Sequence, residues 1–315
     1  MRSPRTRLIR RHQPLPARHR LLTLCVLLTV DTMSVAAPAS DSRPVAEFRK
    51  EVDTVVRSGQ PNRGPLIQNA FSKHFGNERQ TTGLSYLPSS DLSDRLDALA
   101  TVSHIRPDAR LGSDAWELVD ILEARGDAST ADIAKLHRML FAERSFDSAD
   151  QLRRRFVEAN LPASPRLERL TSSGAYNAYA VSRDGAGLLE MHLGMRDFTG
   201  LLAVGHPSCA FSRRAAEWMH SAGHGDKLPV RWIAPVDGNL HMSVIAAWNA
   251  KHPDQPLLLA RHEGDWPFVI DWDTPQFFQF VRGRLTGHVS GWNRESRIVI
   301  GSWLSNGRRN SELRP

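Results

Sequence analysis

Cysteine is nearly absent from this chain, which has two cysteines in 315 residues, Cys25 and Cys209. Cys25 lies in an N-terminal apolar stretch that we expect to be cleaved off, so Cys209 is the one thiol expected in the mature chain. One cysteine excludes an internal disulfide. The Cys209 thiol is therefore either buried and inert or available to a partner.

Long apolar segments are also lacking. The stretch 21–30 is apolar, but it has about half of the roughly 20 residues that a membrane-spanning helix needs. Seven arginines precede it and the small-residue segment 34–39 follows it, which is typical of a secretory signal peptide. We expect residues 1–39 to be this leader and the mature chain to have no integral membrane segment. A retained anchor is the less favoured alternative.

An excess of charge of one sign is missing once the leader is set aside. The whole chain has 41 Lys and Arg against 34 Asp and Glu, and residues 1–39 hold seven of the Arg and one Asp. The remainder has 34 basic and 33 acidic residues, a net charge of +1. We therefore expect no nucleic-acid partner. The chain also lacks a phosphate-binding loop and a dinucleotide fingerprint, which argues against a nucleotide-dependent enzyme.

The hydrophobic pattern separates a helical part from a part with strands, which predicts an α+β fold. We expect a flexible or weakly structured lead-in over 40–89 and a helical domain over 90–170. One helix is expected to begin near Ser90, a second to be capped by Ser113 and Asp114, and 129–143 and 148–160 to form a helical hairpin. The hairpin is similar to one tetratricopeptide-type unit, which would imply a protein-binding surface. A plain helical packing domain is the favoured alternative.

Strand-like runs alternate with helical ones after a linker marked by Pro162, Pro165 and residues 171–174. They predict a mixed sheet within a second domain, 171–315. Strands are expected at 176–182, 188–193, 201–205, 228–234, 275–281 and 286–290, and helices at 211–220, at 242–249 and from about 293.

Cys209 opens the sequence Cys-Ala-Phe-Ser at the turn from the strand 201–205 to the helix 211–220. The first turn of a helix has unpaired N–H groups and the positive end of the helix dipole, and both favour a thiolate. Thr274-Pro275 then precedes an apolar strand. These segments resemble the thioredoxin fold over roughly 176–304, and 230–251 is similar to the central part of the periplasmic thiol:disulfide interchange proteins of the disulfide isomerase type.

The resemblance implies roles for particular residues. In that family the proline is cis and faces the reactive cysteine, so Pro275 is expected to be cis and, with Thr274, to present backbone groups to a bound partner. Two further candidates come from their positions in the sequence and not from the resemblance. Trp272, near Pro275, is the best candidate for touching a partner. His206, three residues before Cys209, is a candidate for stabilising the thiolate, with a solvated histidine in a polar turn as the alternative. We expect both to belong with Thr274 and Pro275 to the substrate-binding residues.

We expect no metal and no cofactor. His220 and His224 have the spacing of two metal ligands on a helix, but glycines beside His224 suggest that the helix is ending. No carboxylate or thiol completes that site.

The chain departs from the family motif at Ser212, where the second cysteine of Cys-x-x-Cys would stand. Ser212 can donate a hydrogen bond to the sulfur but cannot resolve a mixed disulfide. We therefore expect Cys209 and Ser212 to be the catalytic residues of a single-thiol exchange, which reduces or isomerises disulfides of envelope proteins or glutathione, in the periplasm or outside the cell. The alternative is a non-catalytic scaffold or assembly factor of an envelope secretion or conjugation complex, with protein partners bound through the groove and the helical region.

Overall fold

The computed structural model describes residues 43–59, 63–76, 81–169, 176–221 and 228–312. The leader expected over 1–39 lies outside these residues. In the described part of the chain, helices come first and a mixed sheet follows, which confirms the α+β class. None of the helices in these ranges is both long enough and apolar enough to cross a membrane.

The helical part has six α-helices and two short 3-10 helices in the described residues. Their bounds are α1 (Arg43–Arg57), α2 (Arg63–Phe75), α3 (Ser89–Ile105), α4 (Ala109–Ala124), α5 (Thr130–Ala142) and α6 (Phe146–Arg155), with 3-10 helices at Thr81–Tyr86 and Val157–Ala159.

The segment 40–89 differs from the weakly structured lead-in that the sequence suggested, because it contains α1 and α2. Phe48 of α1 and Phe71 of α2 are fully buried and meet edge to face, with ring centroids 6.1 Å apart. Phe75 stacks on Phe71 at 5.1 Å. Aromatic pairs of this kind each add to the free energy gained by burial, so these two short helices are held by packing on each other and on α3.

Helix α4 is also capped by a different residue from Ser113 and Asp114, the two caps expected from the sequence. The helix begins four residues before Ser113, and the carboxylate of Asp108 caps it by accepting the Arg110 N–H at 3.0 Å. Gly112 continues the helix, and the side-chain carboxyl of Glu143 occupies the space that a Cβ at position 112 would need. The expected helical hairpin is present as α5 and α6, and α5 begins with a capping box between Ser129 and Asp132.

The described residues form one eight-stranded sheet in the order β1-β3-β2-β6-β5-β4-β7-β8. The elements are β1 (Arg166–Glu168), β2 (Asn177–Val181), β3 (Gly187–His192), β4 (Gly200–Val204), α7 (Ala210–Ser221), β5 (Val230–Ala234), α8 (Met242–Lys251), β6 (Leu257–Ala260), a 3-10 helix (Glu263–Asp265), β7 (Gln276–Val281), β8 (Arg284–Ser290) and α9 (Arg294–Glu312). The six expected strands all occur. The strands β1 and β6 were not predicted.

The centre of the sheet places several chain turns at one edge. Strands β4, β5 and β6 are parallel, so their carboxyl ends lie at the same edge. Strand β7 is antiparallel to β4, with Gln276 opposite Val204, so β7 begins at that edge. The residues that follow β4 and β5 and those that precede β7 therefore meet there.

The described residues between 43 and 312 belong to one compact unit, in which the helical part and the sheet share a core. Along β4, Leu201 and Ala203 belong to the same buried cluster as the helices, whereas Leu202 and Val204 face a second cluster on the other side of the sheet. This alternation is the period of two expected of a strand covered on both faces. The boundary expected between 170 and 171 lies outside the described residues.

Arg144, in the turn between α5 and α6, links the helical part to the sheet edge. Its backbone is left-handed, with φ of 59°, and its side chain is buried. The guanidinium donates to the carbonyl oxygens of Phe141 at 3.0 Å, Asp237 at 2.9 Å and Ala260 at 3.2 Å. Burial lowers the pKa of Arg144 to about 10, even though the charge of Asp237 opposes that change.

We predict that Arg144→Met lowers the free energy of unfolding by about 2–4 kcal/mol, because each buried carbonyl left without a donor costs about 1–3 kcal/mol. Chemical denaturation followed by circular dichroism measures the change. Arg138→Met on the exposed side of α5 is the matched control, and surface changes of that kind stay within about 0.5 kcal/mol. Equal stabilities of the two variants would show that Arg144 does not hold the two parts together.

Candidate functional site

Cys209 occupies the turn between β4 and α7, one residue before the helix begins. Its N–H donates to the carbonyl oxygen of His206 at 2.9 Å, and its own carbonyl accepts the Arg213 N–H at 3.1 Å. The residue is half-buried. The thiol therefore stands at the N-terminal end of a 12-residue helix with part of its surface open to a reactant.

The start of β7 lies against this thiol. The Cys209 Sγ donates to the carbonyl oxygen of Thr274 at 3.6 Å, and the Thr274–Pro275 peptide bond is cis. The structure thus brings together three of the residues singled out from the sequence, although 65 positions separate Cys209 from Thr274.

Gln276, which the sequence analysis did not single out, holds the loop before Pro275 in place. Its buried side-chain amide donates to the carbonyl oxygens of Asp271 and, at 2.8 Å, of Asp273. The amide oxygen lies 3.0 Å from the His288 Nε2 on β8. A glutamine at the first position of a strand has no sequence signal that separates this role from an ordinary strand residue.

The pKa of the Cys209 thiol is lowered from its ordinary value. Burial acts in the opposite direction and raises the pKa, but hydrogen bonds from the Ser212 N–H, the Ser212 and Thr274 side chains and the Phe211 N–H outweigh it. These donors stabilise the thiolate at the helix N-terminus, where nucleophilic cysteines are found.

Ser212 is fully buried beneath the turn. Its Oγ accepts the His206 N–H at 3.2 Å, which leaves its hydroxyl hydrogen free to point at the Cys209 sulfur. The serine therefore supports both ends of the His206–Cys209 turn.

The His206 side chain contacts Asp237, Ser208 and His241, and its role in stabilising the thiolate stays a prediction. Its Nε2 lies 3.4 Å from the Asp237 Oδ2, and its Nδ1 accepts the Ser208 N–H at 3.2 Å. Its ring also meets the His241 ring edge to face, with centroids 4.8 Å apart. Burial raises the pKa of Asp237, but hydrogen bonds from His206 and the Asn239 N–H, with the charges of His241 and Arg144, lower it overall.

Asp237 and His241 were not predicted as site residues. They follow β5 by three and seven positions, whereas His206 follows β4, and the parallel pairing of the two strands brings them together. The sequence feature that could have identified them is a polar segment directly after a buried strand. In a parallel sheet such a segment lies at the carboxyl edge, where functional residues gather. His220 packs edge to face on His252, and His224 lies outside the described residues.

A cleft with a volume of about 970 Å³ opens between this edge of the sheet and the helical part. Trp272 and Thr274 line it from the loop before β7, His206 from the turn after β4 and Glu143 from the end of α5. Arg63 of α2 also lines it and forms an ion pair with Asp273 across the cleft wall. The helical part thus completes a pocket beside the residues that the sequence placed at the site.

Two acids in the cleft wall have pKa values near neutrality. Burial raises the pKa of Glu143 to about 8, although a hydrogen bond from the Gly112 N–H opposes the change. Burial raises the pKa of Glu263 to about 7, against the charge of Arg106. Within the described residues, the Oε1 of Glu143 has no hydrogen-bond partner, which is consistent with a carboxyl that stays protonated at neutral pH.

A comparison with models of known protein families and with curated proteins finds no match to this chain.

We predict that Ser212→Ala raises the pKa of the Cys209 thiol, because the variant removes a side-chain donor to the thiolate. The pH dependence of alkylation by iodoacetamide measures this pKa, since only the thiolate reacts. The assay uses a Cys25→Ser background so that Cys209 is the only thiol. Ser208→Ala, exposed in the same turn, should leave the pKa unchanged, and a Ser212→Ala profile that matches this control would contradict the prediction.

We predict that stability falls as the pH rises from about 4.5 to about 8 and that Glu143→Gln removes part of this fall. The unfolded carboxyl loses its proton near pH 4.5, whereas the buried one keeps it to about pH 8, so deprotonation favours the unfolded chain over that range. At about 1.4 kcal/mol per pKa unit, the loss from this group is at most about 5 kcal/mol. Chemical denaturation at pH 5 and pH 9 measures the change in the free energy of unfolding between the two pH values. The exposed Glu158→Gln variant is the control. If the free energy of unfolding changes equally with pH in both variants, Glu143 does not hold a buried proton.

Proposed function

We propose that this chain is an exported protein with a thioredoxin-like domain, in which Cys209 performs single-thiol thiol-disulfide exchange on envelope proteins or glutathione. The observation that carries the proposal is the placement of the Cys209 Sγ at a helix N-terminus, 3.6 Å from the carbonyl of Thr274 in a cis Thr-Pro unit. Export follows from the leader expected over 1–39.

The order of elements around the thiol supports the thioredoxin-like part of the proposal. Strand β4 leads through Cys209 into α7 and then to the parallel β5, and the cis proline leads into β7, β8 and α9. Strand β7 pairs with β4 and with β8, both antiparallel. The other strands, β1, β2, β3 and β6, extend the sheet beyond β5.

The exchange has two balanced steps. The Cys209 thiolate attacks one sulfur of a partner disulfide, a new S–S bond forms to Cys209, and the other partner sulfur leaves as a thiolate that takes up a proton. A second thiol, from the substrate or from glutathione, then attacks the mixed disulfide and releases Cys209 as the thiolate. Ser212 lowers the pKa of the attacking sulfur but supplies no sulfur for the second step.

The surroundings of the thiol suit a polypeptide partner. Thr274 and Pro275 present backbone next to the Sγ, and Trp272 is a half-buried indole in the adjoining cleft wall. A partner with its disulfide at Cys209 would lie along this wall, where the Trp272 ring offers apolar contact area.

A binding role without chemistry is the second candidate. Ser212 favours it, because this residue stands at the resolving position, is fully buried and already accepts a hydrogen bond from His206. In that case the cleft and the helical part would hold protein partners of an envelope assembly.

We predict that the Cys25→Ser chain forms a one-to-one mixed disulfide with oxidised glutathione and releases it on addition of reduced glutathione. Intact-mass spectrometry after an acid quench measures both steps. The rate of adduct formation should follow the thiolate fraction of Cys209, so it should fall in Ser212→Ala, and Cys25→Ser with Cys209→Ser should form no adduct.

The variant Ser212→Cys separates the two candidates. If the turn is built for exchange, the added thiol closes a disulfide with Cys209 and gives the chain disulfide reductase activity in a thiol-coupled assay. The exchange proposal is contradicted if Cys209 reacts no faster than free cysteine and the Ser212→Cys chain is inactive. Those two results would favour the binding role.

A further inference from the structure

We propose that His206, Asp237 and His241 bind a divalent transition-metal ion of the zinc class at the edge of the cleft. This site is separate from the thiol chemistry proposed above and does not depend on it. In the described part of the chain, these three side chains are the group whose ligand atoms all lie within 4.8 Å of one another.

The distances between the ligand atoms fit one small cation. The His206 Nε2 and the His241 Nε2 lie 3.4 Å and 3.8 Å from the same Asp237 Oδ2. A tetrahedral ion with bonds of about 2.0–2.1 Å sets its ligands about 3.3 Å apart. The three ligand atoms lie within 4.8 Å of one another, so closing them onto an ion shortens their separations by at most about 1.5 Å.

The carboxylate is held in the orientation that a ligand needs. The Asp237 Oδ1 accepts the N–H groups of Asn239 at 2.8 Å and Leu240 at 3.1 Å, which leaves Oδ2 directed at the two imidazoles. The Asp237 carbonyl is held in turn by the Arg144 guanidinium at 2.9 Å. Supporting hydrogen bonds of this kind orient metal ligands and are part of a built metal site.

The backbone that positions His241 is strained. Leu240 and His241 both have φ of 44°, a left-handed conformation that is unfavourable for residues with a side chain. Leucine in particular adopts it rarely. The strain places the His241 ring against Asp237 and His206, and a ligand role explains why it is retained.

The donor set selects the kind of ion. Two imidazole nitrogens and one carboxylate oxygen suit zinc and its first-row neighbours, whereas calcium and magnesium take oxygen ligands. Three protein ligands leave a fourth position for water or another small donor. That position would open to the cleft, because all three side chains line it.

One hydrogen bond must change when the ion binds. Ser208 now donates to the His206 Nδ1 at 3.2 Å, which places the ring proton on Nε2. An ion at Nε2 moves that proton to Nδ1, so the Ser208 N–H must turn away. Ser208 is exposed, and its N–H can bond to water instead.

Titration of ZnCl₂ into the untagged full chain, followed by calorimetry, tests the proposal. Cys25→Ser and Cys209→Ser are combined in the background so that no thiol binds zinc. We expect one saturable site, which His206→Ala or His241→Ala weakens by at least about tenfold, since even outer partners of metal ligands contribute about 10–100-fold to affinity. His220→Ala, a histidine outside the cluster, should bind as the background does.

Asp237→Asn is the second test variant, because it keeps the backbone carbonyl that Arg144 holds and removes the anionic ligand. Circular dichroism confirms that each variant is folded. Excess magnesium or calcium should not displace the zinc. The proposal is overturned if no saturable site is found, if His241→Ala binds zinc as tightly as His220→Ala, or if calcium competes at equal concentration.

Discussion

The buried guanidinium of Arg144 is the interaction on which the shape of the site depends. Burying a charged group costs free energy unless the group is hydrogen-bonded. The Arg144 guanidinium donates to the carbonyl oxygens of Phe141, Asp237 and Ala260. One of these belongs to α5 and the other two follow or end parallel strands. The side chain therefore fixes the end of α5 against the sheet edge, which sets both the width of the cleft and the position of Asp237.

The turn from His206 to Cys209 holds residues of both proposed sites within four positions. Its backbone carries the thiol to the start of α7, while the side chain of His206 contacts Asp237 and His241. Ser212 contacts both ends of the turn. Its hydroxyl oxygen accepts the His206 N–H, and its own N–H and side chain hydrogen-bond to the Cys209 sulfur. Sulfur and imidazole thus stand on the same short loop with separate hydrogen-bond partners.

Local patterns in the sequence predicted local structure well. The helical hairpin, the strands β2 and β3 and the strand–thiol–helix unit around Cys209 each have a period, a cap or a turn within a few residues. The failures have physical reasons. Helices α1 and α2 depend on contacts of Phe48 and Phe71 with each other, β6 is too short for a period, and the partners of His206 come from the loop after a neighbouring strand. Which distant residues meet depends on the order of the strands in the sheet, and no short stretch of sequence shows that order.

Gly112 on α4 leaves room for the side chain of Glu143, which stands at the end of α5. The carboxyl of Glu143 lies where any larger residue at 112 would place its first carbon. A larger residue at 112 therefore requires either that the Glu143 carboxyl move out of this space or that position 143 hold a shorter side chain. A shorter residue at 143 leaves a gap that a larger one at 112 can fill, so the sizes of the two residues would covary among relatives of this chain.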